Sequence, residues 1–340
     1  MPNNRLNHGT SSEDFRRVAY RDPVKHFVRK YGWLPSAQKR LRSLRSNPKR
    51  SREFARYFSL CGPDAIDVLF MAQNGIIERG PRGFPGTAVC EADLESFRTI
   101  APRLGQSAGT FYGAFEDVVG KDSFEKCSPF DIINLDFTST LFPNWQTPYS
   151  NTVRAIQRLM RIQESHQRSF DLYLTFRARR VESNRSAVDE LKTMMEENLK
   201  DDHDANRLFT KHCAPSVLDL LKKDFCQFVA RTVPKLLIEF GAQHHFIGEH
   251  VNTYIYRRQT WNGVTGERVT YFMIKFILTF EFERGKLSST HKAISNVRRQ
   301  IPQILTNNPF DVRTYLSQNP SLEKTLVQEV SRLLTTAEPL

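Results

Sequence analysis

The chain has 340 residues, 39% of them hydrophobic, and a formal net charge of +12 at pH 7. This size allows one large domain or two small ones, each with its own core. No run of about 18 apolar residues occurs, so we expect no transmembrane helix and no membrane partner. The N-terminus lacks the apolar segment of a secretory signal, so we expect a cytoplasmic protein.

Positive charge is concentrated at the N-terminus. Residues 1–55 contain 14 Lys and Arg residues against four acids, which is +10 of the net +12. The segment is largely polar and is interrupted by Pro23, Pro35 and Pro48. It predicts a basic, partly disordered and partly helical arm that binds a polyanion, most often nucleic acid. The alternative is a solvated arm that only aids solubility.

From Arg56 onward, strand and helix patterns alternate, which favours a parallel sheet. Five segments have the apolar or aromatic pattern of buried strands: 55–60, 87–93, 109–113, 130–137 and 169–180. Helical patterns separate these segments, and the clearest is the amphipathic stretch 150–167.

A different pattern follows the fifth strand. Residues 182–212 predict an acidic helical insertion, and 217–241 predict one long helix, bent at Pro234. Two long β-patterns at 244–258 and 268–284 flank Asn262-Gly263, which suits a tight reversal, so we expect an antiparallel hairpin. Residues 285–340 predict a helical C-terminal extension.

This order of elements resembles the class I S-adenosylmethionine (SAM) methyltransferases, in which a seventh strand pairs antiparallel beside the last parallel one. The resemblance covers residues 56–284 and rests on element order more than on motif identity. It implies an α/β domain that is Rossmann-like and doubly wound, with a mostly parallel sheet of about seven strands. It also implies SAM as the cofactor, bound beyond the carboxyl ends of the first four strands.

The resemblance assigns cofactor roles to residues at these strand ends. Cys61 and Gly62 lie where the family has a glycine-rich turn, of which only the one glycine is present. Glu91, after strand two, matches the acid that binds the ribose hydroxyls, although Asp93 nearby could simply cap the next helix. Asp117, after strand three, matches the acid that bonds the adenine amino group. The alternative for Asp117 is a solvated acid at a helix N-terminus.

The end of strand four carries the most specific local signal, Asn134-Leu135-Asp136-Phe137. It resembles the Asn/Asp-Pro-Pro-aromatic motif of amine-directed nucleic-acid methyltransferases, without the prolines. In that family a polar group accepts hydrogen bonds from the target amine and the aromatic ring stacks on the base. The resemblance therefore makes Asn134 or Asp136 the catalytic acceptor and Phe137 the stacking platform. The alternative is a polar pair that merely ends a strand.

Residues after strands four and five favour a nucleic-acid partner, DNA or RNA. Trp145 could stack on a base, and Arg177, Arg179 and Arg180 could contact phosphates. The alternative is ordinary packing of loops and of long basic side chains.

No metal site is expected. The five cysteines form no CxxC pair, and His244 and His250 lie about 20 Å apart along an extended strand. A third and less favoured interpretation is a nuclease that uses Glu91, Asp117 and Asp136 around Mg²⁺, although these carboxylates come from separate strand ends and no lysine accompanies them at a usual spacing.

We favour two hypotheses for the function. The first is a SAM-dependent methyltransferase that acts on a nucleic-acid base nitrogen. The second is a catalytically inactive methyltransferase-like scaffold that binds nucleic acid or partner proteins, for example in a bacterial mobile-element or defence complex. A protein partner could bind the acidic helix at 182–204 or the C-terminal helices.

Overall fold

The computed structural model of the chain describes residues 21–143, 151–261, 268–283 and 290–335. Its strands are β1 (Tyr57–Leu60), β2 (Thr87–Glu91), β3 (Gly109–Tyr112), β4 (Ile132–Asp136), β5 (Phe170–Ala178), β6 (Phe246–Trp261), β7 (Arg268–Phe282) and β8 (Phe310–Asp311). Its α-helices up to β5 are α1 (Pro23–Val28), α2 (Leu34–Arg45), α3 (Ile66–Gln73), α4 (Leu94–Leu104), α5 (Phe115–Val118), α6 (Asp122–Cys127) and α7 (Asn151–Ser165). Those after β5 are α8 (Arg185–Asp201), α9 (His203–His212), α10 (Val217–Lys223), α11 (Phe225–Gln243), α12 (Thr290–Thr306), α13 (Val312–Ser317) and α14 (Pro320–Thr335).

All eight strands form one sheet in the order β3-β2-β1-β4-β5-β7-β6-β8. Strands β1 to β5 are parallel, β7 is antiparallel to both β5 and β6, and the short β8 is parallel to β6. The chain is therefore an α/β protein with a mixed, mostly parallel sheet, and the expected antiparallel hairpin is confirmed. The reversal expected at Asn262-Gly263 lies outside the described residues.

Helices cover both faces of the sheet, so the protein has two apolar cores. Helices α5 to α12 pack on one face, and α1 to α4, α13 and α14 pack on the other. Neighbouring strand residues point to opposite faces, so Phe58 enters the first core and Tyr57 the second. Burial on both faces explains why the central strands are almost continuously apolar.

The N-terminal segment differs from the basic arm that we expected. Helix α1, a π-helical turn at Arg29–Trp33 and helix α2 lie against the sheet. Val24 and Val28 are fully buried, and the ring of Trp33 stacks on that of Tyr173 at 5.4 Å between centroids. These few apolar residues are enough to dock the segment because they fall on one side of two consecutive helices. The segment 21–45 is thus docked on the sheet and contributes its apolar side chains to the second core.

Several cations of this segment pair with acids of the sheet and of α3. Each pair is almost wholly buried, and burial of an unpaired charge would be very costly. The three pairs are Lys25 with Asp136 at 2.5 Å, Arg29 with Asp67 at 2.5 Å, and Arg40 with Asp171 at 2.7 Å. Part of the N-terminal positive charge is therefore neutralised in buried ion pairs within the fold.

Helices after β5 also differ in detail from the sequence prediction. The helix expected over 217–241 is divided, because Asp224 ends α10 and its side chain caps α11 by accepting a hydrogen bond from the Gln227 amide at 3.0 Å. The insertion helix α8 buries an apolar side that includes Leu191 and Met195. In the C-terminal region α12 packs on α11 and α14 packs on α1, so this region is not a separate extension.

Within the described ranges, no helix combines the length and the apolar character needed to cross a bilayer.

Replacement of Asp171 by Ala should strongly destabilise the protein. The Asp171 carboxylate accepts two hydrogen bonds from Arg40 and one from Ser36. Its loss removes the buried partner of the guanidinium and leaves Arg40 with Glu281, a mostly exposed acid 2.8 Å from its Nη1. We expect the free energy of unfolding, measured by urea denaturation, to fall by about 3–5 kcal/mol.

The matched control is Asp189→Ala, which removes an exposed partner of Arg185 and should change the free energy of unfolding by less than about 0.5 kcal/mol. Equal effects of the two substitutions would contradict a docking role for Arg40.

Candidate active site

A cavity of about 550 Å³ lies above the carboxyl ends of the parallel strands. This volume is within the usual range of small-molecule sites. Its wall consists of Lys25, Leu60, Pro63, Cys90, Glu91, Ala92, Asp93, Ser96, Gly113, Ala114, Phe115, Glu116, Asp136, Phe137, Thr138, Ser139, Arg177, Arg258, Tyr271 and Met273. Seven of these side chains carry a formal charge, so the cavity is suited to a polar ligand.

The position of the cavity follows from the strand order. From β1 the chain moves to β2 and β3 on one side and then crosses to β4 on the other side. The crossover helices leave in opposite directions at this point, which opens a crevice above the strand ends. Leu60 and Pro63 border the cavity after β1, and Asp136 and Phe137 border it after β4. The cavity thus occupies the place where open α/β sheets bind ligands.

The predicted ribose-binding residue lines the cavity. Glu91 ends β2, is partly exposed, and its Oε1 accepts a hydrogen bond from the Asp93 amide at 2.8 Å. Asp93 also caps α4, because its Oδ1 accepts from the Ser96 amide at 3.0 Å. Glu116 adds a third acid to this end of the cavity.

Two of the three predicted catalytic residues also line the cavity. The ring of Phe137 contacts that of Phe115 edge-on at 5.7 Å, which fixes its orientation in the cavity wall. The Asp136 carboxylate receives a hydrogen bond from Lys25 Nζ at Oδ2, and Lys275 Nζ lies 3.7 Å from Oδ1. One acid is therefore held between two lysines.

These charges change the pKa of every member of the group. Burial alone would raise the pKa of Asp136, but the charges of Lys25 and Lys275 outweigh it and lower this pKa. Burial lowers the pKa of Lys25, and the attraction of Asp136 offsets only part of that effect. Burial likewise lowers the pKa of Lys275 to about 7. Asp136 therefore stays ionised at neutral pH, and the floor of the cavity holds an ion pair.

The third predicted catalytic residue, Asn134, is not at the cavity. It is fully buried on the sheet face that the N-terminal helices cover, and its Nδ2 donates to Ser59 Oγ and Asp67 Oδ2, each at 3.0 Å. Its position two residues before Asp136 on β4 places it one row deeper in the sheet. The expectation that Asn134 receives a target amine is corrected accordingly.

Several other predicted site residues lie outside the cavity wall. Cys61 and Gly62 are buried behind Leu60 and Pro63, and burial raises the pKa of the Cys61 thiol. Asp117 is exposed, and its neighbour Glu116 takes the place at the wall.

Of the predicted nucleic-acid residues that the structure describes, Arg177 is the one that lines the cavity. Arg179 bonds to Glu182 at 2.7 Å and Arg180 is exposed, so both lie further out on the same edge. Trp145 lies outside the described residues.

Among the cavity residues that the sequence did not predict are Lys25, Arg258, Tyr271 and Met273. Lys25 lies 111 positions from Asp136, in a segment that looked like an arm. The other three come from the hairpin, and their period-two spacing on β6 and β7 could have placed them on one sheet face. No local motif marks any of the four.

Comparison with known proteins adds little to this site. A protein-family model described as PP_RS20740-like matches residues 104–226, which is less than half of the chain. No curated protein matches the sequence. Within the described part of the chain, no group of three or more His, Cys, Asp or Glu residues is arranged to hold a metal ion.

Because of Lys275, the free energy of unfolding should change with pH in the alkaline range. Its pKa is about 7 in the folded state against about 10.4 in an unfolded chain, so the unfolded chain binds more protons between these values. The folded state therefore gains stability as pH rises and loses it as pH falls towards 7. We expect wild type to gain up to about 1.4 kcal/mol per pH unit relative to Lys275→Met between pH 8 and 9.5, by urea denaturation.

Lys39→Met is the control, because Lys39 is exposed and the difference from wild type should stay flat with pH. A flat difference for Lys275→Met as well would show that Lys275 is protonated in the folded protein.

Proposed function

We propose that the chain is a SAM-dependent methyltransferase that acts on nucleic acid, with a Rossmann-like, doubly wound sheet of the class I type. One observation carries the proposal: Glu91, from the end of β2, lines a cavity at the topological switch point. A carboxylate in this position suits two ribose hydroxyls, as an acid does in dinucleotide folds. The antiparallel β7 beside β5 agrees with the same family resemblance.

The acceptor that we propose is a base nitrogen. Phe137 offers an aromatic platform in the cavity wall, and a desolvated amine that is aimed at a sulfonium methyl needs little help from a general base. Asp136, in place of Asn134, would accept hydrogen bonds from the target amine. Its Oδ1 accepts no hydrogen bond from any described residue, and an ionised carboxylate has room for several donors.

The second candidate is a methyltransferase-like scaffold without activity. Its support is the turn after β1, where only Gly62 is a glycine and where the whole stretch 61–67 is buried. A cofactor carboxylate would need close approach to backbone amides at such a turn. The pairing of Asp136 also favours an inactive scaffold. Lys25 and Lys275 compete with a target amine for the Asp136 carboxylate oxygens.

The nucleic acid that we propose as partner would contact the cavity edge. Arg40 pairs with Asp171 near the start of β5, whereas Arg177 is near its end. Six residues of strand separate these positions by about 20 Å. The exposed cations of α2 therefore lie far from the cavity, and Arg179 and Arg180 lie close to it.

SAM binding tests the cofactor proposal directly. We expect isothermal titration calorimetry to detect binding of SAM to the whole chain and Glu91→Gln to weaken it about tenfold or more, because a charge-assisted hydrogen bond to ribose is lost. Glu95→Gln is the matched control, since Glu95 is exposed on α4, where it pairs with Arg98. No heat of binding at millimolar SAM would leave the scaffold as the function.

Transfer of a labelled methyl group from SAM to RNA or DNA then separates enzyme from scaffold. Label in the nucleic acid supports the enzyme. Binding of SAM without transfer to either polymer supports a scaffold that has kept its cofactor.

Binding of nucleic acid should depend on Arg179 and Arg180 more than on the N-terminal segment. We expect the double change Arg179→Gln, Arg180→Gln to make the plot of log affinity against log salt shallower by about 1.4 for a single strand. Lys39→Gln, Arg42→Gln removes the same charge from the outer face of α2 and should leave the slope nearly unchanged. The reverse ranking would show that α2 forms the nucleic-acid surface.

A further inference from the structure

Charges in the cavity are separated into two ends. Glu91, Asp93 and Glu116 come from the ends of β2 and β3. The three cations come from the opposite side of the sheet and from α1, and they are Lys25, Arg177 and Arg258. Strands β2 and β7 are four strand spacings apart, or about 19 Å. The cavity therefore has a negative end and a positive end, with Asp136 between them paired to Lys25.

The positive end is built around one tyrosine. The guanidinium carbon of Arg177 lies 4.3 Å from the centroid of the Tyr271 ring. Arg258 is the direct partner of Tyr271 in the pairing of β6 with β7, so their side chains leave the same face of the sheet. The two arginines thus flank Tyr271, and all three side chains line the cavity.

Acids outside the cavity wall hold the two arginines from the side. Glu182 Oε1 lies 3.1 Å from Arg177, and Asp22 lies 3.9 Å from Arg258. Neither acid is part of the wall. The Arg177 side chain is 23% exposed, so part of it can be reached from solvent. Only 15% of the Arg258 side chain is exposed, which strengthens its field in the cavity.

Two arginines that are fixed in a partly desolvated cavity repel cations and match the fork geometry of a phosphate. Stacking on Tyr271 fixes Arg177 before a ligand arrives, so little side-chain freedom is lost on binding. We propose that Arg177 and Arg258 bind a phosphate of the methyl acceptor, so that the acceptor enters the cavity as a nucleotide unit from the positive end. This inference rests on the proposed function, in which the negative end takes the adenosyl group of SAM.

A carboxylate offers the same chemistry as a phosphate, and SAM itself carries one. The two sources predict different losses. If the positive end binds the acceptor phosphate, a change at Arg258 weakens nucleic-acid binding and leaves SAM affinity intact. If it binds the cofactor carboxylate, the same change weakens SAM binding alone, and the proposal is overturned.

The test uses the whole chain and a fluorescent 12-nucleotide single strand, prepared as RNA and as DNA, with anisotropy measured across salt concentrations. We expect Arg258→Gln to weaken binding of at least one strand about tenfold and to reduce the salt slope by about 0.7. Arg257→Gln is the matched control. Arg257 is the next residue on β6, is exposed, and lies over Phe272, so its loss should change affinity less than twofold.

Arg177→Gln is the second variant, in case Arg258→Gln proves unstable in a thermal melt, because more of the Arg177 side chain is exposed, 23% against 15% for Arg258. It should lower affinity by a similar factor. A strand with uncharged methylphosphonate linkages should bind wild type weakly and lose nothing further in either variant. Folded variants that bind both charged strands like Arg257→Gln would overturn the proposal.

Calorimetry with SAM on the same variants distinguishes this failure from that of the proposed function. Wild type that binds the charged strand through Arg258 but binds no SAM would refute the methyltransferase and keep the phosphate site. If wild type binds SAM but its affinity for the charged strands does not depend on Arg177 or Arg258, the phosphate site is refuted and the methyltransferase proposal stands.

Discussion

Buried ion pairs between the N-terminal helices and the rest of the α/β core are the constraint on which the structure depends. Burial of one charge in an apolar core is prohibitive, and a pair is tolerated only when its geometry and hydrogen bonds are good. Here Arg40 meets Asp171 with two hydrogen bonds while Ser36 satisfies the other carboxylate oxygen. Such pairs add little stability over an apolar contact, but they admit one docked position for the helices. The N-terminal segment is therefore fixed in register on the sheet.

The same constraint shapes the cavity. Lys25 reaches the cavity only because α1 is docked, and it pairs there with Asp136 at the end of β4. A carboxylate that could have been a free acceptor is thus held in an ion pair, with Lys275 beneath it. Any chemistry at this point takes place beside a fixed dipole and not beside an isolated negative charge. The separation of Glu91 from Arg177 on β5 and Arg258 on β6 then gives a ligand a defined direction in the cavity.

Sequence alone predicted the sheet well, because its strands carry strong local signals. The run 130–137 is apolar enough to be a buried central strand, and β4 occupies Ile132–Asp136 within it. The docking of α1 and α2 could not be predicted, since apolar residues are sparse there and the partners of their cations are distant in sequence. The pair Arg40–Asp171, for example, spans 131 positions.

The candidate site was predictable only in part for the same reason. Glu91, Asp136 and Phe137 follow from the rule that strand ends meet at one edge. Side chains alternate along a strand, so Asn134 and Asp136 face the same side of the sheet. This alternation does not reveal that the cavity ends at Asp136 and leaves Asn134 buried. The arginine of the hairpin, Arg258, is recruited by tertiary pairing that no local pattern encodes.

We propose that the cavity at the switch point binds SAM, and a crystal structure with S-adenosylhomocysteine tests this proposal most directly. We expect density for the adenosyl group in the cavity, with the ribose hydroxyls on Glu91 and the sulfur towards Phe137. An empty cavity at millimolar ligand, or ligand bound elsewhere on the protein, would contradict it.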